Sequence, residues 1–305
     1  MQKPLEYTFR YIDKCNMCGS NTENHVVMGR RLNRSQGRKP QKKVGISTTV
    51  MRCPDCNLIY SNPMPVPKDI QAHYGIPPES YWKEHYFKPG NSDFLLEINK
   101  LKSLMNIKPG DKALDIGAGL GKSMIALEKA GFDAYGVEPS EPFYKRAIEK
   151  MGIKPDKIKL ASVEDAEYPA NYFDFVSFSV VLEHLYDPSG AMEKAMNWLK
   201  PDGIMHIEVP SSKWLIHKLV NFYYSITGTD YVANLSPMHI PFHLYEFALE
   251  SFYKNSVKNK YEVVAHEYFV CPTHLPKSLD FILKPYMAKT KTGMTLTVWL
   301  RKKSV

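Results

Sequence analysis

No run in the 305-residue sequence approaches the ~20 consecutive apolar side chains that a helix needs to span a bilayer, so no transmembrane segment is predicted. The opening residues, Met1–Tyr11, carry charges and lack the apolar centre of a signal peptide, which makes the cytoplasm the expected location. No internal repeat is visible, which excludes a solenoid or propeller. Cysteine is scarce: there are five, too few for a disulfide-dense small scaffold. Disorder is excluded as well, because 44% of the residues are hydrophobic and can bury a sizeable core. The length allows one large α/β domain with an appendage, or two modest domains.

Excess charge is missing from most of the chain. Residues 1–60 hold 11 Lys+Arg against 4 Asp+Glu, and the other 245 residues hold 29 against 28. Seven of the basic residues sit in the polar stretch Arg30–Lys43. That stretch reads first as a solvated loop. The same basic character also suits phosphates, anionic sugars or nucleic acid.

Residues 1–62 form a first unit, with a β-prone stretch at Val44–Met51. Residues 63–92 are rich in proline and aromatics and read as an ordered linker. A helix is expected over Phe94–Met105, after Asn91-Ser92 as N-cap. Strands are then expected at Ala113–Ile116, Ala134–Val137, Phe173–Ser179 and Ile204–Val209. Between them lie helices at Lys122–Ala130, Ser140–Met151 and Ser189–Leu199. This alternation argues for a doubly wound α/β sheet. After Pro210 it breaks. Trp214–Tyr224 is apolar and aromatic, Ser236–His243 is a Pro/His loop, and Leu244–Tyr253 looks helical. Val263–Val270 and Met294–Leu300 look like closing strands. The second unit is therefore 93–305, with a lid or acceptor insertion over about 211–250.

Chemistry concentrates in Leu114-Asp115-Ile116-Gly117-Ala118-Gly119-Leu120-Gly121. A strand ending in a glycine-rich turn that opens a helix brings backbone close to a ligand and aims N–H groups at an anion. A dinucleotide fingerprint wants G-x-G-x-x-G, whereas this chain has G-x-G-x-G with Lys122 at the third position. Glu138, 21 residues after Gly117, ends the next strand, where a carboxylate can hold both ribose hydroxyls. Asp115 suits a donor ammonium group.

These residues, with Val137-Glu138-Pro139, Tyr172-Phe173-Asp174 and Val181-Leu182-Glu183-His184-Leu185, resemble the class I S-adenosylmethionine-dependent methyltransferases, in particular the subgroup with an LEH signature after the fourth strand. The resemblance covers about residues 93–300. It implies a Rossmann-like seven-stranded sheet whose last strand is antiparallel. It implies that S-adenosylmethionine is held by Asp115, Gly117, Gly119, Gly121, Glu138 and Pro139, with adenine contacts at Val163 and Glu164 and Ser179 beside the transferring methyl group. Some quinone-pathway members carry a further acidic residue where Val180 stands and bind a divalent ion, so in this chain that ligand set is incomplete.

Cys15-x-x-Cys18 and Cys53-Pro-Asp-Cys56 are separated by 34 residues, a spacing that brings four thiolates around one structural zinc. Disulfides or a thioredoxin-like redox pair are the alternatives. The stretch from Cys53 to Tyr74 resembles the zinc-ribbon leader of some sugar and natural-product methyltransferases. Cys271 reads as a buried apolar thiol.

A hydroxyl acceptor gains from a general base near neutrality, and histidine suits that task. The candidates are His184, His239 and His243. The spacing of His239 and His243 would chelate a metal on a helix, but Pro241 between them disfavours one, so acceptor contacts or a base are expected instead. The expected function is methyl transfer to a small polar acceptor, a hydroxyl of a sugar or related metabolite. An RNA methyltransferase reading its substrate with the basic ribbon, and a non-catalytic donor-binding or interaction module, are the alternatives.

Overall fold

The computed structural model describes residues 6–31, 46–69, 87–88, 90, 93–235, 243–271 and 277–303. The proposed helix cap at Asn91-Ser92, most of the basic loop, most of the linker, and His239 lie outside the described residues. Among the described residues, no helix is long and apolar enough to cross a membrane.

The N-terminal region contributes β1 (Tyr7–Arg10), β2 (Val26–Arg31), β3 (Thr49–Arg52), β4 (Ile59–Ser61) and β5 (Met64–Pro67). α1 (Leu95–Leu104) follows. The alternating part then runs β6 (Lys112–Ile116), α2 (Lys122–Lys129), β7 (Asp133–Glu138), α3 (Glu141–Glu149), β8 (Ile158–Leu160), β9 (Phe173–Ser179), α4 (Pro188–Trp198) and β10 (Leu199–Pro210). Beyond it come α5 (Leu215–Ile226), β11 (Tyr231–Val232), β12 (Tyr245–Glu246), α6 (Leu249–Asn259), β13 (Tyr261–Phe269), α7 (Lys277–Thr290) and β14 (Thr295–Lys302).

The seven-stranded sheet has the order β13-β14-β10-β9-β6-β7-β8, with β14 antiparallel to both of its neighbours and the other pairs parallel. This is the α/β, Rossmann-like sheet with an antiparallel last strand that the motifs imply. Its central strands are buried on both faces, which explains their continuous apolar runs. Successive residues of the paired strands face opposite layers. Leu114, Val176 and Met205 join a core with Trp198, while Ala113, Phe175 and Ile204 pack on the other side with Phe132 and Trp299. The order reverses between β6 and β9, so the carboxyl ends of β6, β7, β9 and β10 open a crevice there.

Local chemistry sets the helix starts. Gly121 stands at φ +78° before α2. The Asp187 side chain accepts a hydrogen bond from Gly190 N–H at 2.9 Å and caps α4, which begins at Pro188, one residue ahead of expectation. Ser140 occupies the N-cap of α3 without a side-chain capping bond.

A second sheet joins distant parts of the chain in the order β11-β2-β3-β4-β12. β12 pairs antiparallel with β4, Tyr245 opposite Tyr60 and Glu246 opposite Ile59. This pairing corrects the expected helix over Leu244–Tyr253. Strand hydrogen bonding claims its first residues, and the helix starts at Leu249. β10 is also longer than expected. α7, which contains Pro285, was not anticipated at all.

Candidate active site

The glycine turn sits at the end of β6. Gly117, Gly119 and Gly121 all have positive φ, at +74°, +54° and +78°. The N–H groups of Gly117 and Ala118 donate to the Val137 carbonyl at 2.8 and 3.0 Å, which ties the turn to β7. A Cβ on Gly117 would lie 2.5 Å from Val181 Cγ2, and one on Gly121 would lie 2.6 Å from Ile153 Cγ1. A Cβ on Gly119 would meet no atom within 4 Å. Two of the glycines therefore serve packing, and the middle one borders open space.

Two acids face this turn. Asp115 is buried and accepts from Ser177 Oγ at 2.6 Å, its register partner on β9. Burial pushes its carboxyl up to about 6, against hydrogen bonds from Ser177 and Ser123. Glu138 ends β7 at 6% exposure. Its Oε2 accepts from Gly119 N–H and its Oε1 from Ser140 N–H, both at 2.7 Å. Burial raises this carboxyl to about 7; the two N–H groups oppose the rise and the Asp115 charge adds to it. Pro139 follows directly. Ala161 N–H donates to the Glu138 carbonyl at 3.2 Å, which brings the segment holding Val163 and Glu164 alongside. Val163 is buried, and the Glu164 carbonyl accepts from Lys194 Nζ at 2.6 Å.

The acceptor-side candidates gather at the end of β9. The Ser179 hydroxyl is buried with no hydrogen-bond partner. Val180 stands at φ +58°, an outlier for a β-branched residue, and its N–H donates to the Glu208 carbonyl at 2.9 Å. The chain then turns through Leu182–His184. Glu183 is fully buried, and neither carboxylate oxygen has a hydrogen-bond partner. Burial, reinforced by the Glu208 charge, pushes it up to about 8. Leu244 N–H donates to the Glu183 carbonyl at 2.7 Å and brings His243 into the group. His243 Nε2 lies 4.0 Å from Glu183 Oε1, and the His184 and His243 rings meet edge to face at 4.9 Å. The structure thus unites His184 with His243. Glu183 was read from the sequence as part of the LEH signature and not as a candidate catalytic residue. Its signal was its place beside His184.

The four paired cysteines converge. Cys15 and Cys56 Sγ lie 3.6 Å apart, as do Cys18 and Cys53 Sγ, and all four sulfurs fall within 4.8 Å of one another without a disulfide. The two knuckles share one geometry. Gly19 N–H donates to the Cys15 carbonyl at 2.8 Å and Asn57 N–H to that of Cys53 at 3.0 Å, with Gly19 and Asn57 both at positive φ. A closed set of four thiols, three buried and Cys18 partly so, fits a tetrahedral zinc.

The first knuckle touches the segments that carry the acceptor-side candidates. Asn16 Nδ2 donates to the Tyr186 carbonyl at 2.9 Å and to Tyr245 Oη at 2.6 Å, next to the segments that carry His184 and His243. From α6, Ser251 Oγ donates to the Cys56 carbonyl at 2.8 Å and Asn255 Nδ2 to that of Met17 at 3.1 Å.

Residues 85–255, more than half of the chain, match a family model described as a methyltransferase domain. A 162-residue segment is 28% identical to the ubiquinone biosynthesis O-methyltransferase of Bordetella avium, covering 50% of this chain and 63% of that one. A 103-residue segment is 30% identical to phosphoethanolamine N-methyltransferase 3 of Arabidopsis thaliana, covering 33% of this chain and 21% of that one. The chain thus spans less than two thirds of either relative. Among solved structures, a chain from the complex of the Haloferax volcanii Trm112 methyltransferase activator with a methyltransferase shares the fold, with a TM-score of 0.52 at 14% identity over 74% of this chain and 97% of that one. The matched residues contain the glycine turn, Glu138, the LEH signature and His243, and on that match the chain belongs to the methyltransferase-domain family.

Proposed function

We propose that the chain transfers a methyl group from S-adenosylmethionine to a hydroxyl of a small polar acceptor, a sugar or related metabolite. The observation that carries this reading is the pairing of an open glycine turn with a buried carboxylate: Gly119 borders free space, and the Glu138 carboxylate reaches its N–H. The open space beside Gly119 suits the methionine end of the donor, and Asp115 suits its ammonium group. Glu138 suits the ribose hydroxyls, and Val163 supplies an apolar contact for adenine. Bound there, the donor supplies a sulfonium-activated methyl group for an in-line displacement, so positioning does most of the work.

The acceptor enters from the other wall. Ser179, at the end of β9, lies between the two halves. The Glu183–His184–His243 cluster is where an acceptor hydroxyl is received and its proton released. The relatives named O-methyltransferase favour oxygen as the acceptor atom. The four-cysteine site holds a structural zinc that does no chemistry.

Calorimetry tests the donor half. S-adenosylmethionine should bind and NAD should not, with Glu138→Ala weakening the donor at least roughly tenfold. Binding of NAD in place of the donor would sink the reading. Labelled donor incubated with fractionated extract tests the acceptor half. Label in hydroxyl-bearing metabolites supports it, label in RNA moves the assignment to RNA, and donor binding with no labelled product leaves a non-catalytic module.

A further inference from the structure

α5 is inside out for a helix on a protein surface. Such a helix ordinarily buries an apolar stripe and shows its polar residues to water. Here polar side chains tie the helix to the fold. Asn221 Nδ2 donates to Asn234 Oδ1, and Ala233 N–H donates to Asn221 Oδ1, both at 2.7 Å. Only Ile216 and His217 are buried, with His217 Nδ1 at 3.3 Å from Glu246 Oε1. The outward face carries Leu219, Phe222, Tyr223 and Ile226, whose i, i+3, i+4, i+7 spacing makes one stripe. Phe222 is 67% exposed and Ile226 66%.

α7 does the same. Among its described side chains only Met287 is buried, while Leu279, Phe281, Ile282 and Tyr286 are exposed, Phe281 at 85%. The two helices adjoin. Leu215 N–H donates to the Thr292 carbonyl at 3.2 Å and Thr292 N–H to that of Met287 at 3.0 Å, so the start of α5 abuts the end of α7. Scattered exposed apolar residues need no explanation, but two adjoining helices that both turn theirs outward do. The charge beside them is one-sided. Residues 211–229 hold Lys213 and Lys218 and neither Asp nor Glu, and residues 277–294 hold Lys277, Lys284, Lys289 and Lys291 against Asp280 alone. Lys213 is taken by Glu250 at 2.6 Å, whereas Lys218, Lys289 and Lys291 are exposed.

We propose that α5 and α7 form a face that lies on the surface of an anionic lipid bilayer. At 12 and 14 residues they are too short to span one, but aromatic and aliphatic side chains flanked by lysines suit helices lying in the interface plane. The apolar side chains enter the headgroup boundary and the lysines meet anionic headgroups. A second copy fits less well. A two-fold contact sets the same patch against itself, and six lysines with one acid on each side would repel. Protein interfaces are also depleted of lysine. α5 begins five residues after β10 ends at Pro210, so the face adjoins the carboxyl ends of the strands and seats the crevice at the lipid–water boundary. The proposal holds whichever acceptor the crevice takes.

The test is co-sedimentation of the full chain with vesicles of phosphatidylcholine, alone or mixed with phosphatidylglycerol. Binding to the mixed vesicles is expected, weaker at high salt and on phosphatidylcholine alone. Phe222→Ser and Phe281→Ser should each weaken it roughly tenfold, and the two together roughly 100-fold. Tm should hold, because both side chains are exposed. Leu160→Ser, exposed on β8 at the edge of the sheet farthest from β13, should leave binding unchanged. Failure to bind the mixed vesicles overturns the proposal. So does binding that the double variant retains, which would assign the contact to the basic stretch Arg30–Lys43. A lipid-free dimer that Phe222→Ser dissociates would give the face to a second copy and overturn it as well.

Discussion

Glu138 should make the donor-free protein less stable as pH rises, and replacing it should reverse that trend. Its carboxyl moves from the ordinary 4.5 to about 7 on folding, chiefly because it is buried. A raised acid favours folding most strongly when protonated. The benefit is complete below about pH 4.5 and is lost as pH climbs through about 7. With 1.36 kcal/mol per pKa unit, the cost of ionising it in the fold is about 1 kcal/mol at pH 5 and about 3 kcal/mol at pH 8. Glu138→Gln removes the titration. It also leaves one carbonyl oxygen to serve two donors, Gly119 N–H and Ser140 N–H, a pH-independent loss of about 1 kcal/mol. The two stability curves should therefore nearly meet at pH 5, with the variant ahead by about 2 kcal/mol at pH 8. At about 2.1 cal/mol/K per residue over the whole chain, that is a gain of about 3 °C in Tm. Urea unfolding at pH 5, 6, 7 and 8 without donor measures it. Asp115, raised to about 6, also weakens the fold with rising pH, but it is present in both proteins and largely cancels in the difference. Parallel curves from pH 5 to 8 would show that Glu138 does not titrate as its burial requires. The cost of the stabilised variant should appear in function: donor that protects the unmutated chain by about 2.7 kcal/mol at a hundred times Kd should protect Glu138→Gln far less.

Other outcomes follow from single contacts. Gly119→Ala meets no neighbour and should cost only about 1–2 kcal/mol for its left-handed backbone, yet lose donor affinity on calorimetry because the methyl group enters the open space. Gly117→Ala meets Val181 Cγ2 at 2.5 Å and should lower Tm further than Gly119→Ala does. Chelator treatment should release about one zinc per chain and lower Tm, with loss of ellipticity from the second sheet; release of no metal would refute the proposed zinc. Asp187→Ala removes the cap on Gly190 N–H and should cost about 0.5–2 kcal/mol in urea unfolding.

The parts of the proposed donor site stand out in the sequence because they are close together in it. The strand, the glycine turn and the helix behind it form one continuous segment, and each glycine answers a local demand for positive φ. The cysteine pairs were legible for the same reason, since each knuckle closes on itself. The parts of the proposed acceptor wall do not stand out. His243 reaches Glu183 only because β12 pairs with β4, a contact between residues 185 apart at Tyr60 and Tyr245. Local pattern suggested a helix at Leu244–Tyr253, and long-range pairing overrode it. Glu183 was hidden differently. Nothing in its neighbours foretells that both oxygens lose water without gaining partners, because that depends on the packing of the whole crevice. His206 misleads in the opposite sense. It is a histidine on a central strand, but it is buried among Phe94, Phe175 and Trp299, and burial pushes it down to about 3, which leaves it neutral.

The same long-range pairing ties the cysteine knuckles to the proposed acceptor wall. β4 leads directly from the second knuckle, and its partner β12 begins two residues after His243. The first knuckle clamps the other side through Asn16, whose amide spans the Tyr186 carbonyl and Tyr245 Oη. Each of those atoms lies two residues beyond one of the clustered histidines. The glycine turn, by contrast, is held by Val137, Val181 and Ile153, none of them in the ribbon. Loosening the ribbon should therefore disturb the two halves unequally. Asn16→Ala leaves the four thiols in place, so it should lower turnover while S-adenosylmethionine affinity stays within about twofold. A variant that lost donor affinity as steeply as turnover would mean that the ribbon supports the whole domain and not the acceptor wall alone.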